Sequence, residues 1–81
     1  MQPRKKVVRH PEMYQRLLVH LKDLRVSKGW TQAQIAKGIN LSRSQYTSLE
    51  GGRSMLTVEH LCSLALFYKF RVSDFLKLGD L

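Results

Sequence analysis

The chain has 81 residues, of which 43% are hydrophobic, so it is long enough for one small domain and too apolar for a disordered protein. No run of 18 or more apolar residues occurs, and no apolar signal-peptide stretch follows the basic N-terminus. Neither a membrane-spanning nor a secreted protein is therefore expected, and a cytoplasmic location is predicted. The net charge of +8 lies in residues 1–53, with 11 basic and 3 acidic side chains, whereas residues 54–81 hold 3 of each. This asymmetry is typical of a basic part that faces a polyanion and a neutral part with another role.

The first element after the N-terminus is a long helix. Residues 1–10 contain a proline and four basic side chains, which favour a flexible arm over packing. Pro11 suits the first position of a helix, where its missing N–H is not needed. Apolar residues then recur at helical spacing until Gly29, which is predicted to end the helix as a left-handed cap. Helix 1 is expected over about residues 11–28.

Two short helices follow, and each has its own start signal. Thr31 and Gln34 form one capping box, and Ser42 and Gln45 form a second. In each box a hydroxyl and a side-chain amide satisfy the first backbone N–H groups of a helix. These signals predict helix 2 over about residues 32–38 and helix 3 over about residues 43–51.

The segment between these helices completes a helix-turn-helix. Asn40 lies in the turn and tolerates the left-handed backbone conformation that a tight turn needs. Ala36 carries a small side chain, which lets the two helices approach closely where they cross. A helix-turn-helix is therefore predicted over about residues 32–51.

The remaining residues predict two more helices. Thr57 is expected to cap helix 4, at about residues 58–69, whose inward stripe would be Val58, Leu61, Cys62 and Ala65. Ser73 is expected to cap a short helix 5 at about residues 74–78. No strand-like alternation occurs, so the predicted fold is an all-α, five-helix, repressor-like helix-turn-helix domain with a basic N-terminal arm.

Two sequence elements also point to a known family. One is Thr31-Gln32 followed by Ile35-Ala36, and the other is Ser42-Arg43-Ser44 followed by Leu49-Glu50 and Gly51-Gly52. In this register they resemble the Cro/phage-repressor (Xre-type) helix-turn-helix family, and the resemblance covers roughly residues 17–77. It implies a sequence-specific, double-stranded DNA-binding transcription regulator, a dimeric repressor or autoregulator of phage, plasmid or restriction-modification type. Tyr46 and Lys69 depart from the family, which usually has Ile or Val, and Gly, at these positions.

Helix 3 has an inward and an outward side when its residues are placed about 100° apart. Tyr46, Leu49 and Glu50 fall together and must face the protein. Short polar side chains and one arginine occupy the opposite side and its edges. By periodicity alone this face suits solvent as well as a DNA major groove, and the resemblance favours DNA. The expected base contacts are Arg43, Ser44, Gln45, Thr47 and Ser48.

Phosphate contacts are expected from the residues around the helix termini. In the resembled family the glutamine that opens helix 2, here Gln32, contacts phosphate, as do residues after helix 3, here Arg53 and Ser54. Thr31 and Ser42 are further candidates. The arm either follows the DNA or serves as a solubility tail, and its candidate contacts are Arg4, Lys5, Lys6 and Arg9.

The resemblance also assigns one pair a structural role. The family pairs an arginine of helix 1 with a glutamate at the end of helix 3, here Arg25 and Glu50. An unpaired carboxylate facing phosphate would oppose binding, so this pair is expected to be structural.

The neutral end of the chain predicts self-association. Its apolar residues exceed what one small core needs, and a homodimer through helix 5 and its flanks is expected, although completing the monomer core is an alternative role for them. The expected interface residues are Leu66, Phe70, Phe75 and Leu78.

No enzyme, cofactor or metal site is expected. His10, His20, His60 and Cys62 lack metal-ligand spacing, and Gly51-Gly52 is a helix stop with no phosphate-loop pattern around it. Two functions other than a plain regulator stay open. One is an antitoxin-like protein-interaction module that also binds DNA, and the other is an RNA-binding protein, for which the basic arm is the only support.

Overall fold

The computed structural model describes residues 11–78, and the side chains of residues 11–75; the arm at residues 1–10 and residues 79–81 lie outside this part. Within it the chain contains helices and turns and no strand, which confirms the predicted all-α fold. No helix among these residues combines the length and apolarity needed to cross a bilayer. The five helices are α1 Pro11–Ser27, α2 Gln32–Gly38, α3 Arg43–Glu50, α4 Val58–Tyr68 and α5 Val72–Leu78.

Three of these helices begin at a capping box. The Thr31 hydroxyl accepts from the backbone N–H of Gln34, whose side chain accepts from the Thr31 N–H at 2.8 Å. Ser42 and Gln45 repeat the arrangement at the start of α3, again at 2.8 Å. Both boxes were predicted from the sequence and are confirmed. Each one satisfies two backbone donors that the first helical turn leaves unpaired, so it fixes the residue at which the helix begins.

A third box was not predicted in full. Thr57 caps α4 as expected, and its partner is His60, whose Nδ1 accepts from the Thr57 N–H at 3.0 Å. Helix α5 begins two residues earlier than expected. The predicted cap at Ser73 is wrong, because Ser73 lies inside α5. Arg71 precedes the helix, and its N–H donates to the side chain of Asp74 in the first turn at 2.8 Å.

The turns contain the left-handed residues that close the helices. Gly29 has φ 79° and Asn40 has φ 64°, as the sequence predicts. Lys69 ends α4 with φ 61°, although a residue with a Cβ costs about 1–2 kcal/mol in this conformation unless it is asparagine or aspartate. Helix α4 therefore ends with backbone strain where a glycine would have none.

One hydrophobic core joins all five helices. Its most buried members are Ile35 and Phe75, both at 0% exposure, and Leu64 at 1%. Ala36 on α2 is 1% exposed, and α2 packs against α3. This core holds α3 by its inward residues and leaves its other side to solvent.

Three residues lie where the sequence did not place them. Helix α4 buries Leu61, Leu64 and Ala65. Val58 and Cys62 lie to one side of these buried residues, so Val58 is 71% exposed and Cys62 is also exposed. Phe75 was expected at a dimer interface, and this is wrong, since its ring is enclosed by the core of a single chain. The surplus of apolar residues at this end is thus smaller than the composition indicated.

The strain at Lys69 leads to a stability prediction. We expect Lys69→Gly to raise the free energy of unfolding by about 0.5–1.5 kcal/mol, because glycine adopts the left-handed conformation without the steric cost of a Cβ. Lys37→Gly is the matched control: it removes the same charge from an exposed site inside α2 and should lower stability by about 1 kcal/mol. Urea unfolding followed by circular dichroism measures both changes. A loss of stability in both variants would contradict the assignment of strain to Lys69.

Candidate nucleic-acid interface

Helix α3 presents one side to the core and the other to solvent. Tyr46 and Leu49 are 2% and 4% exposed, and they anchor the helix. The predicted base-contact residues lie on the other side, where Arg43, Ser44 and Gln45 are exposed and Thr47 and Ser48 are half-buried. The structure therefore places all five of them on the accessible side of one helix.

This side of α3 forms a ridge between two shallow depressions. Ser44 and Ser48 line both of them. Arg43, Thr47 and Arg53 complete the first depression, and the second includes Gln45, Ser54 and residues of the segment that follows α3. An α-helix standing out in this way has the shape that a major groove about 12 Å wide admits.

The side chains on the ridge differ in how far the fold already uses them. Within the part of the chain that the structure describes, Arg43, Ser44 and Ser48 make no side-chain hydrogen bond. Gln45 uses its amide oxygen in the capping box of α3, and Thr47 donates its hydroxyl proton to Gln32 on α2. Three residues are thus free to adapt to a ligand, and two are held.

The predicted phosphate-contact residues surround this ridge. Thr31 and Gln32 line a third depression, which Arg43 shares. Arg53 and Ser54 are placed at the end of α3 by backbone hydrogen bonds from their N–H groups to the Ser48 carbonyl, at 2.9 and 3.1 Å. Ser42 lies at the start of the helix, where its hydroxyl accepts from Gln45. The arm residues Arg4, Lys5, Lys6 and Arg9 lie outside the described residues.

A partly buried network of hydrogen bonds supports the ridge from beneath. The ion pair predicted between Arg25 and Glu50 is present and bidentate, with Nε–Oε2 at 2.8 Å and Nη2–Oε1 at 3.1 Å. Tyr46 donates to Glu50 Oε2 at 2.9 Å, and Gln32 donates from Nε2 to Oε1 at 2.8 Å. Arg25 also donates to the Trp30 carbonyl at 3.0 Å. The Glu50 carboxylate therefore joins α1, α2 and α3.

The network keeps its charges in defined states. Burial alone would raise the pKa of Glu50, but hydrogen bonds from Arg25, Gln32 and Tyr46 outweigh it, so the pKa lies below its ordinary value. Burial, followed by the nearby Glu50 carboxylate, raises the pKa of the Tyr46 hydroxyl. The hydrogen bond to Glu50 raises the pKa of Arg25. At neutral pH the carboxylate is therefore ionised and neutralised by arginine beneath the exposed surface.

The sequence identified only part of this network. The resemblance supplied Arg25 and Glu50, whereas Gln32 was assigned to phosphate alone and Tyr46 to the core alone. The spacing of four residues between Tyr46 and Glu50 was an available signal, since such residues are neighbours on a helix. No comparable signal joins Gln32 to Thr47, because they lie on different helices.

The lowered pKa of Glu50 leads to an acid-stability prediction. A carboxylate whose pKa is lowered by folding gives its full stabilisation above its unfolded-state pKa, near 4.5, and loses it as the pH falls through the folded-state value. We expect the wild-type melting temperature to fall below about pH 4.5 and Glu50→Gln to show a weaker dependence there. At pH 7 this variant should lose about 2–3 kcal/mol, less than a fully buried pair, because Arg25 is partly exposed.

Thermal unfolding between pH 7 and pH 3 measures this effect. Glu59→Gln is the control, since it makes the same change at an exposed site on α4 and should keep the wild-type profile. Parallel acid profiles for the wild type and Glu50→Gln would contradict the role given to the Glu50 carboxylate.

Comparison with known proteins agrees with this geometry. The family model HTH_3, described as Helix-turn-helix, matches residues 21–75, which is more than half of the chain and includes the whole ridge and all members of the network. Comparisons with curated proteins and with solved structures gave no match. Two observations lead to the same assignment: the helix-turn-helix exposes a polar side of α3, and the family model matches this part of the chain. The chain belongs to the Xre/Cro-type helix-turn-helix family of DNA-binding transcription regulators.

Proposed function

We propose that this protein is a sequence-specific regulator of transcription that inserts α3 into the major groove of double-stranded DNA. The observation that carries the proposal is the charge of the ridge. Its accessible side chains are polar, with Arg43 as the one cation, and the sole carboxylate of α3, Glu50, is neutralised by Arg25. A polyanion can therefore approach α3 without meeting an unpaired negative charge.

The free side chains of the ridge suit direct readout of bases. Arg43 has the geometry to donate two hydrogen bonds to O6 and N7 of guanine. The hydroxyls of Ser44 and Ser48 both donate and accept, so they fit several bases. Gln45 keeps its amide N–H groups for a base, since only its oxygen serves the capping box. Thr47 completes the set.

Phosphate groups on either side of the groove would hold this orientation. Gln32 has a second amide N–H besides the one given to Glu50, and Arg53 lies exposed at the end of α3. Ser54, Ser42 and Thr31 are further donors in this proposal, with backbone N–H groups at the helix starts. The basic arm would add contacts with the DNA backbone or the minor groove.

We further propose that the protein binds DNA as a homodimer. Leu66 is 82% exposed, and Val58 and Cys62 lie four residues apart on the same side of α4, so this helix carries an apolar stripe. Residues 54–81 carry no net charge, so two copies can meet there without the repulsion between their basic parts. Phe70 is half-buried beside the core, and the Leu78 side chain lies outside the described residues. Two copies would present two α3 helices to half-sites about 34 Å apart.

This arrangement fits a repressor or autoregulator. The resemblance to phage repressors favours that role in a phage, plasmid or restriction-modification setting. In this proposal, regulation would follow from protein concentration and from where the binding site lies relative to a promoter.

Selection of bound duplexes from a random pool tests the readout. We expect a palindromic consensus for the wild type, and we expect Arg43→Ala to lose one guanine preference in each half-site, at about 1–3 kcal/mol. Arg71→Ala is the control, since it removes the same charge from an exposed site before α5 and should leave the consensus unchanged. Binding that depends on salt but yields no consensus would mean that charge acts alone, and it would overturn sequence-specific recognition.

Analytical ultracentrifugation tests the dimer. We expect the wild type to sediment as a dimer at tens of micromolar, and Leu66→Glu to sediment as a monomer with an unchanged melting temperature, because this side chain is largely exposed in one chain. Val26→Glu places the same charge at an exposed site on α1 and should leave the dimer intact. A monomeric wild type would show that the apolar stripe on α4 does not support self-association.

A further inference from the structure

We propose that Glu50, acting through Gln32, fixes how Thr47 meets a base, so that Thr47 recognises thymine by its methyl group and not by its hydroxyl. This inference rests on the proposed function, in which α3 lies in the major groove. It concerns a positioning chain of three residues, Glu50, Gln32 and Thr47, that crosses from beneath the ridge to its accessible side.

The first step is the orientation of the Gln32 amide. Its Nε2 lies 2.8 Å from Glu50 Oε1, and a carboxylate only accepts hydrogen bonds, so the NH₂ end of the amide must face Glu50. Glu50 is itself held by two hydrogen bonds from Arg25 and one from Tyr46. Because the carboxylate is fixed, the amide cannot turn over without losing a charge-assisted hydrogen bond. The amide oxygen of Gln32 is therefore left to face Thr47.

The second step is the direction of the Thr47 hydroxyl. Its Oγ1 lies 3.1 Å from Gln32 Oε1, and an amide oxygen only accepts, so the hydroxyl must donate. A threonine hydroxyl has one proton, and this bond uses it. A β-branched side chain has few allowed rotamers in a helix, and the bond selects one of them. Thr47 lines the depression that it shares with Arg43, and with its hydroxyl proton engaged it offers a ligand there only its methyl group and its oxygen lone pairs.

The third step is what such a surface recognises. Guanine presents two acceptors in the major groove, and a hydroxyl without a free proton has nothing to donate to them. The amino groups of adenine and cytosine can still donate to the hydroxyl oxygen, and the two Thr47 substitutions described below separate that contact from a methyl contact. Thymine presents a C5 methyl group, which an aliphatic group can contact. Ser44 and Ser48 line the same depression, and their hydroxyl groups donate no hydrogen bond within the described part of the chain. Thr47 therefore differs from its polar neighbours, and it adds apolar discrimination to a surface of hydrogen-bonding groups.

Two substitutions separate the methyl group from the hydroxyl. Thr47→Val removes the proton donor but keeps a methyl group at the same place without the bond to Gln32, because valine has one strongly preferred rotamer in a helix whereas threonine divides between two. Thr47→Ser keeps the hydroxyl and removes the methyl group. Sites would first be selected from a random duplex pool with the full-length wild type, Thr47→Val and Thr47→Ser. We expect one thymine preference per half-site that Thr47→Val retains and Thr47→Ser loses, with the preferences at other positions unchanged.

Replacing that thymine with uracil, which lacks the C5 methyl group, measures the contact directly. We expect the wild type and Thr47→Val to bind the uracil duplex about fourfold more weakly than the thymine duplex, as the burial of one methyl group predicts, and Thr47→Ser to bind both equally. Gln32→Ala should reduce the ratio of the affinity for the thymine duplex to that for the uracil duplex, because the hydrogen bond that orients Thr47 is lost. A lost phosphate contact alone would weaken binding to both duplexes alike and would leave the ratio unchanged.

The outcomes distinguish this inference from the function on which it rests. If the wild type selects no consensus, the proposed function fails and the inference fails with it. If a consensus emerges but Thr47→Ser keeps the thymine preference and Thr47→Val loses it, the hydroxyl reads the base and only the inference is overturned. A consensus that neither Thr47 variant alters, or a ratio that Gln32→Ala leaves at the wild-type value, would also overturn the inference alone.

Discussion

The structure depends on one carboxylate, Glu50, which accepts hydrogen bonds from three helices. An ionised carboxylate is costly to bury unless its oxygens are satisfied, and here Arg25, Gln32 and Tyr46 supply four donors. The same contacts set the position of α3 against α1 and α2, so the orientation of α3 follows from the need to satisfy the Glu50 carboxylate. They also remove the only negative charge of α3 from the field that a nucleic acid would meet.

The two parts of the chain that differ in net charge also differ in what they contribute to the structure. Residues 1–53 carry the whole net charge and contain the ridge, whereas residues 54–81 are neutral and supply Phe75 and the apolar stripe of α4. In both regions the helix starts are fixed locally, because each capping box is formed by residues that lie within four positions of each other. Hydrophobic burial then orients the helices, and the Glu50 network makes one orientation of α3 specific.

The sequence predicted what is decided locally. The boxes at Thr31 and Ser42 and the left-handed Asn40 depend on residues within one turn of each other, so their patterns are legible without tertiary structure. Burial on α4 and α5 was predicted poorly, as Cys62 and Phe75 show, because which side of a short apolar helix faces inward is decided by its neighbours. The contacts of Gln32 were missed for the same reason: they join separate helices through side chains that sequence patterns treat as surface.

The unequal tethering of the ridge residues bears on how such a regulator could diverge. The side chains of Arg43, Ser44 and Ser48 make no hydrogen bond in the described part of the fold. Under the proposed function, substitutions there would alter which DNA sequence is preferred at little cost in folding stability. Gln45 and Thr47 also make side-chain hydrogen bonds within the fold, so a substitution at either position removes one of these bonds as well. Under the proposed function, duplicated copies of such a regulator would acquire new operators mainly by substitutions at Arg43, Ser44 and Ser48. Gln45 and Thr47 would meanwhile keep their hydrogen bonds within the fold.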